Sequence, residues 1–360
     1  MQMKSKIWQT DYSKSNQVLY YGLFGLLFLI SFYLYDFLRW SEHDLLSFEN
    51  AIKILAGENH DHLQSRLTKP LPLILPAIIY KFTFIRPAYL LLAENICIIS
   101  LFAFVLDKFC ARLHVNNLLV LPLFALSGPF AIFSTFAQTD IWGWLIELCI
   151  IYLALFKRHT FLFFLLLLAG ALSKESVLVA ALFYLFTILF EENRHKFLQT
   201  SAVMILTVIS TFLITKIVFE DSSIDRAIQA NDGFVSFQFK WNYLQQVFRT
   251  IDLLWIPIVL GFRSKYNRTI VLTAGLFFLL APFFKFFVQD RILFMIVPVL
   301  LPIYIEGVKK LPRKWIIWPL AIVGFLSTYL IYRLDIGLAW PLFILFVIGS
   351  IYTLLTYKAE

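Results

Sequence analysis

Residues 18–38 read VLYYGLFGLLFLISFYLYDFL. This apolar run is long enough to cross a bilayer, because a membrane-spanning helix needs about 20 mainly apolar residues. No small-residue cleavage site follows it, so we expect a retained span and not a signal peptide. The whole chain of 360 residues is 60% apolar and only 15% charged, whereas soluble domains are about a quarter charged. The sequence therefore predicts an all-α, polytopic membrane protein.

Similar runs recur along the chain and predict about twelve spans in one integral-membrane domain, residues 1–360. The run 70–85 is short, contains three prolines and Lys81, and is interpreted as interfacial or re-entrant. The predicted spans are 18–38, 88–106, 118–136, 141–156, 161–173, 176–190, 197–218, 250–262, 269–284, 292–306, 315–332 and 337–356.

The formal net charge of +8 would suggest a nucleic-acid partner in a soluble protein, but here it indicates orientation. If 70–85 does not span and the N-terminus is inside, the predicted cytoplasmic segments hold 17 Lys and Arg residues and only six acids. Both termini are therefore expected in the cytoplasm, with any chemistry on the extracytoplasmic face. We expect a bacterial inner-membrane protein with no nucleic-acid partner.

Two longer polar loops then lie outside, at 40–87 and 219–247. In the first loop, apolar residues recur every three or four positions, which predicts an amphipathic helix on the membrane surface. These residues are Leu45, Leu46, Phe48, Ile52 and Leu55.

Charged residues gather at the outer ends of the predicted spans. Glu42 and Asp44 follow the first span, and such a pair can supply a general base with a neighbour that orients it or binds a metal. The alternative is a solvated acidic start of the loop. Asp140 begins a later span.

Cations accompany these acids. Lys174 can hold a phosphate as a point charge, although the motif taken in isolation favours an internal pair with Glu175. Arg291 can grip a phosphate bidentately, with the same alternative of pairing with Asp290. The other outer cations that we assign to substrate binding are Arg66 and Lys69.

Two acids, Glu94 and Glu147, lie inside predicted spans, where ionisable groups are functional candidates. One interpretation is that these two acids belong to a transporter. The other is that they line the inner part of the predicted outer cavity.

The outer motifs resemble those of the GT-C superfamily of integral-membrane glycosyltransferases. The resemblance rests on Ser41-Glu42-His43-Asp44 with the loop up to Lys69-Pro70-Leu71, on Ser134–Asp140, on Leu172-Ser173-Lys174-Glu175 and on Gln289-Asp290-Arg291. Each motif is short, and Glu42 replaces the first acid of the D-x-D pattern. The similarity is to mannosyltransferases that build glycolipid anchors and to bacterial relatives.

The resemblance implies an inverting transfer of a hexose from a polyprenyl-phosphate donor to a hydroxyl of a glycan or glycolipid, as in cell-envelope polysaccharide synthesis. Asp44 would be the base, with Glu42 and Asp140 beside it. Lys174 and Arg291, with Arg66, would hold the phosphate. A divalent metal is optional, and no metal ligands are assigned.

Two other functions remain open. One is a transporter or flippase for a polar or lipid-linked substrate, although no internal repeat is found. The other is an O-antigen-type polymerase or ligase, although the loop at 219–247 contains a single arginine, Arg226. A glycosyltransferase predicts that its key residues line one outer cavity: Asp44, Asp140, Lys174, Glu175 and Arg291.

Overall fold

The computed structural model describes residues 14–35, 42–58, 69–127, 129–131, 139–174, 177–192, 194–219, 241–262, 267–280 and 293–334. These residues form helices and no strand, so the all-α prediction is confirmed for this part of the chain. The α-helices are α1 Lys14–Tyr35, α2 Glu42–Leu55, α3 Leu71–Thr83, α4 Pro87–Arg112, α5 Leu121–Ala125, α6 Asp140–Phe156, α7 Thr160–Ala171, α8 Val177–Glu191, α9 Arg194–Phe219, α10 Trp241–Arg249, α11 Trp255–Gly261, α12 Asn267–Leu280, α13 Val297–Lys310 and α14 Ile317–Leu334.

Two described helices, α1 over Gln17–Leu34 and α4 over Pro87–Arg112, are long and apolar enough to cross a membrane. Core helices of soluble proteins and signal sequences pass the same test, so this finding supports membrane association only weakly. Several other apolar helices are shorter; α6 has 17 residues and α7 has 12.

Two predicted spans are interrupted. In 118–136, a 3₁₀ turn at Asn117–Leu119 leads into α5, which ends at Ala125. Pro129 lies shortly beyond, and proline lacks the N–H that a continuing helix needs. In 250–262, the 3₁₀ turn Asp252–Leu254 precedes α11, and the φ of Asp252 is 46°, in the left-handed region.

The helix expected in the first outer loop is present as α2. Its buried residues Phe48, Ala51 and Ile52 pack on α3 and α4, together with Leu73 and Leu91. Phe48 and Ile52 of the apolar face that we expected on a membrane surface are therefore covered by protein, whereas Leu46 is 52% exposed. Burial of apolar area drives this contact, and it fixes α2 and α3 onto α4.

The main core surrounds α6, which packs on α4, α7, α8 and α13. Trp144 of α6 is 1% exposed and stacks on Phe130 at 5.2 Å between ring centroids. Phe294 meets the same indole edge-on at 4.9 Å. The core around α6 is separate from the smaller apolar cluster of α2, α3 and the start of α4.

Helix directions define two ends of the bundle. The rings of Phe109 and Phe156, near the C-termini of α4 and α6, lie 5.5 Å apart, so these helices run parallel. Short connections make α6 to α9 successive antiparallel neighbours. One end, which we call the basic end, therefore carries Lys108, Arg112, Lys157, Arg158, Arg194 and Lys196. Asp140 and Lys174 lie at the opposite end.

Candidate functional site

A buried ion pair joins α6 to the end of α7. Lys174 Nζ lies 2.6 Å from Asp140 Oδ1, and the two side chains are only 15% and 5% exposed. Asp140 is the first residue of α6, where the helix dipole favours an anion, and Lys174 follows α7, where it favours a cation. The two helix ends therefore stabilise both charges of the pair. The structure pairs Lys174 with Asp140 and thus brings two predicted site residues together.

The turn that holds Lys174 depends on a glycine. The amides of Ser173 and Lys174 both donate to the carbonyl of Gly170, at 2.8 and 2.7 Å. A Cβ on Gly170 would overlap the side chain of Val177 at the start of α8. The small residue therefore lets α7 and α8 approach closely and fixes the backbone that carries the lysine.

The segment from α2 to α3 reaches this site at the start of α3. The amide of Leu71 donates to the carbonyl of Leu172 at 3.2 Å, two residues before Lys174. Lys69, a predicted substrate-binding residue, precedes this contact by two residues and is half-buried. The structure thus brings Lys69 to the same end of the bundle as the ion pair.

Polar contacts that the sequence did not reveal hold α2 in place. Arg86 Nε donates to Glu49 Oε1 at 2.6 Å, and the Tyr80 hydroxyl donates to Glu58 Oε1 at 2.7 Å. Each hydrogen bond raises the pKa of its donor, Arg86 or Tyr80. The reason is that the donor must keep its proton to bind the carboxylate. The only sequence signals were an acid on an apolar helix and an arginine before a proline.

Glu42 and Asp44 lie in the first turn of α2, and their side chains lie outside the part that the structure describes. Arg66, Glu175, Asp290 and Arg291 fall outside the described residues altogether. The expectation that these residues line one cavity with Asp140 and Lys174 therefore stays a prediction.

Two further acids are buried below this end. Glu94, on α4, is 7% exposed, and Glu147, on α6, is 0% exposed. The indole N–H of Trp142, on α6, lies close to the Glu94 carboxyl group. Trp142 follows Asp140 by two residues on α6, so it lies just below the ion pair.

Among the described residues, no group of three or more His, Cys, Asp or Glu side chains is arranged to hold a metal ion. Comparisons with known protein families, with curated proteins and with solved structures find no match to this chain. The functional argument therefore rests on the geometry of this chain alone.

Proposed function

We propose that this protein is a membrane glycosyltransferase of the GT-C kind. It transfers a neutral hexose from a polyprenyl-phosphate donor to a hydroxyl of a glycan or glycolipid acceptor on the extracytoplasmic face. The observation that carries the proposal is the buried Asp140–Lys174 pair next to the start of α3. A lysine held by one carboxylate, beside a docked outer loop, suits a lipid phosphate that arrives from the bilayer.

The proposal includes a chain that crosses a bacterial inner membrane about twelve times, with both termini in the cytoplasm. Two features support it. Cations predicted to be cytoplasmic share the basic end, and large apolar side chains are exposed along α1, α4, α9 and α12, where lipid would cover them. The shorter helices would cross with flanking residues that snorkel and with local thinning of the bilayer.

In the proposed reaction, the acceptor oxygen attacks the anomeric carbon while the bond from that carbon to the phosphate oxygen breaks. The Asp44 carboxylate takes the proton of the acceptor hydroxyl, and the electron pair of the broken bond leaves on the polyprenyl phosphate. A single displacement inverts the anomeric centre.

Lys174 stabilises the negative charge that builds up on the leaving phosphate. Its ammonium group has three N–H donors, and Asp140 accepts one of them, which aims the other two. This interaction strengthens as the bond breaks, so it accelerates the transfer and does not merely tighten donor binding.

The decisive test uses purified protein in lipid vesicles with a panel of radiolabelled polyprenyl-phosphate hexoses and lipid-linked acceptors. Wild type should transfer one of the sugars, and Asp44→Asn should lower the rate by at least about a hundredfold, because general-base catalysis contributes roughly 10²–10⁴-fold. The control Glu306→Gln, which removes a half-buried acid paired with Lys309 at the basic end, should keep the wild-type rate.

Full activity of Asp44→Asn would remove Asp44 from the role of base. The absence of transfer from every donor, together with uptake of labelled substrate into the vesicles, would overturn the enzyme and favour a transporter, which the buried Glu94 and Glu147 would then serve.

A further inference from the structure

The connection between α13 and α14 is fixed to the protein at both ends. Leu311 packs against the main core, and Ile317 is 0% exposed within it. The amide of Ile316 donates to the Arg313 carbonyl at 3.0 Å, which closes a 3₁₀ turn between these two anchors. We call residues 309–316 the basic turn. Its backbone is therefore held in place by the fold.

Two large apolar side chains of the basic turn are exposed. Trp315 is 56% exposed and Ile316 is 46% exposed. In water, these side chains would forgo the favourable free energy of apolar burial. At the surface of a bilayer, by contrast, tryptophan is enriched at the level of the head groups. The exposed pair therefore indicates contact with a lipid boundary.

Cations accompany these apolar side chains. Lys309 is paired with Glu306 at 3.0 Å, and the Lys310 ammonium group donates to the Leu260 carbonyl at 2.9 Å. Arg313 is exposed, and its guanidinium group forms no ion pair or hydrogen bond with any residue that the structure describes. Its N–H donors are thus available to an external anion.

The end of α11 extends this surface. The bond between Lys310 and Leu260 holds α11 beside α13, and Phe262, just after α11, is 50% exposed. The next helix, α12, begins five residues later, and its second residue, Arg268, is exposed. Exposed apolar and cationic side chains therefore lie together at the ends of three helices.

This combination defines the kind of ligand that fits. An arginine binds a phosphate with two parallel hydrogen bonds, which a lysine cannot do. Cations alone would equally attract a soluble polyanion, but such a partner gains nothing from exposed Trp315, Ile316 and Phe262. An anionic phospholipid carries its phosphate directly above its acyl chains, so it matches both the cations and the apolar side chains.

We propose that the basic turn binds the head group of an anionic phospholipid in the leaflet next to the basic end. Arg313 donates to the phosphate, and Trp315 and Ile316 lie at the boundary between head groups and acyl chains. The inference needs the membrane location proposed above, but it does not depend on sugar transfer. The lipid site lies at the end of the bundle opposite to the Asp140–Lys174 pair.

The test measures the thermal unfolding temperature of the purified full chain in an uncharged detergent during titration with phosphatidylglycerol. Phosphatidylcholine with the same acyl chains, glycerol 3-phosphate and polyglutamate are the comparison ligands. A ligand that binds only the folded state raises this temperature. Wild type should be stabilised more by phosphatidylglycerol than by phosphatidylcholine, and it should not be stabilised by the two soluble anions.

Two variants test the assigned side chains. Arg313→Gln should weaken the apparent affinity for phosphatidylglycerol by about ten- to a hundredfold, because it removes hydrogen bonds between charged groups. Trp315→Ser should weaken it by about tenfold, because the indole leaves the lipid boundary. Both native side chains are exposed, so neither variant opens the folded core. If one variant unfolds, the other decides.

Arg112→Gln is the matched control. It removes the charge of an exposed arginine at the C-terminus of α4, on the same basic end. A hydrogen bond from the Tyr304 hydroxyl to the Leu119 carbonyl joins α13 to this end. The control should keep the affinity for phosphatidylglycerol within about twofold. An equal loss in Arg112→Gln and Arg313→Gln would show diffuse attraction to the basic end and would overturn the site.

The ligands also separate the possible outcomes. Equal stabilisation of wild type by phosphatidylglycerol and phosphatidylcholine would overturn the inference. Equal stabilisation by phosphatidylglycerol and either soluble anion would also overturn it, in favour of a soluble anionic partner. Neither result affects the glycosyltransferase, because sugar transfer is measured separately in vesicles. Conversely, a chain that transfers no sugar but passes this test would keep the lipid site.

Discussion

The Asp140–Lys174 pair differs from the other ion pairs between described residues in how little water reaches it. Its side chains are 15% and 5% exposed, whereas those of Lys309 and Glu306 are 36% and 33% exposed. An exposed pair stabilises a protein by about 0–1 kcal/mol. A buried pair repays its desolvation only with good geometry, and two helix ends supply that geometry here. We therefore infer that the main role of this pair is to position the Lys174 ammonium group, and that its contribution to stability is secondary.

At the basic end, Glu192 accepts hydrogen bonds from Arg158 at 3.0 Å and from Lys196 at 3.1 Å. The Arg158 hydrogen bond, and to a smaller extent the Lys196 hydrogen bond, hold the pKa of Glu192 below its usual value of 4.5. Since the pKa is lower in the folded state, the contacts stabilise the fold above the unfolded pKa. Their contribution is lost as the pH falls through the folded value.

We therefore expect Glu192→Gln to lose less thermal stability than wild type when the pH falls from about 7 to about 3. Arg158→Met should reduce this pH dependence more than Lys196→Met, because the Arg158 hydrogen bond is the larger cause of the lowered pKa. Unfolding temperatures of the purified variants at both pH values provide the measurement. A wild-type pH dependence in Glu192→Gln would contradict the assignment.

At the scale of elements, run lengths and flanking charges predict much of the helix pattern. The span predicted at 141–156 is α6, Asp140–Phe156, and the span predicted at 88–106 lies within α4, Pro87–Arg112. The end of α5 at Ala125 and the 3₁₀ turn at Asp252 were not predictable in the same way, because both lie within runs that are mainly apolar, at 118–136 and 250–262. Hydropathy counts apolar residues and does not detect where the helical hydrogen bonds stop.

The same limit applies to the candidate site. The order of spans placed Asp140 and Lys174 at one end, but their contact depends on how α6 and α7 pack. The bond between Glu49 and Arg86 joins residues 37 positions apart, which no local spacing reveals. Nothing in the sequence distinguishes Trp142 from the other tryptophans, and only the structure places its indole close to Glu94.

The contact between α11 and α13 depends on two glycines. A Cβ on Gly261 would overlap the Ile303 carbonyl oxygen, and a Cβ on Gly307 would overlap the Pro257 carbonyl oxygen. Both obstacles are backbone atoms of helices, so they cannot move aside as a flexible side chain would. Small residues on both helices thus allow backbone-to-backbone contact, as in many membrane helix pairs.

We expect Gly261→Ala and Gly307→Ala each to destabilise the protein by at least about 1–3 kcal/mol, the usual cost of overpacking. The matched control is Gly275→Ala in α12, where a Cβ would have nothing within 4 Å. It should stabilise by about 0.5–1 kcal/mol, because alanine is the better helix former. Unfolding temperatures in one detergent measure all three. If Gly261→Ala or Gly307→Ala is as stable as the control, the close contact does not exist.

At the scale of the whole molecule, charge is distributed unevenly between the two ends. The cations at the ends of α4 and α6 and at the start of α9 lie together, and the Tyr304 hydroxyl donates to the Leu119 carbonyl at 3.2 Å. This bond places the last part of α13, with Lys309 and Lys310, near the same end. The net charge of +8 is thus distributed unevenly: cations are concentrated at the basic end, whereas the opposite end carries both acids and lysines. Such a division is what the positive-inside rule requires of a membrane protein with the basic end in the cytoplasm.

This orientation predicts which residues an impermeant maleimide reaches in intact bacterial cells. The background variant replaces Cys97, Cys110 and Cys149 with alanine. Lys53→Cys on α2 should then react from outside, because the proposed topology places α2 in the first extracytoplasmic loop. Lys196→Cys, whose native side chain is 48% exposed at the basic end, should react only after the membrane is permeabilised. Labelling of denatured protein controls for the amount of each variant. If Lys53→Cys and Lys196→Cys react from the same side, the two ends do not face opposite sides of a bilayer, and both the span count and the extracytoplasmic site are wrong.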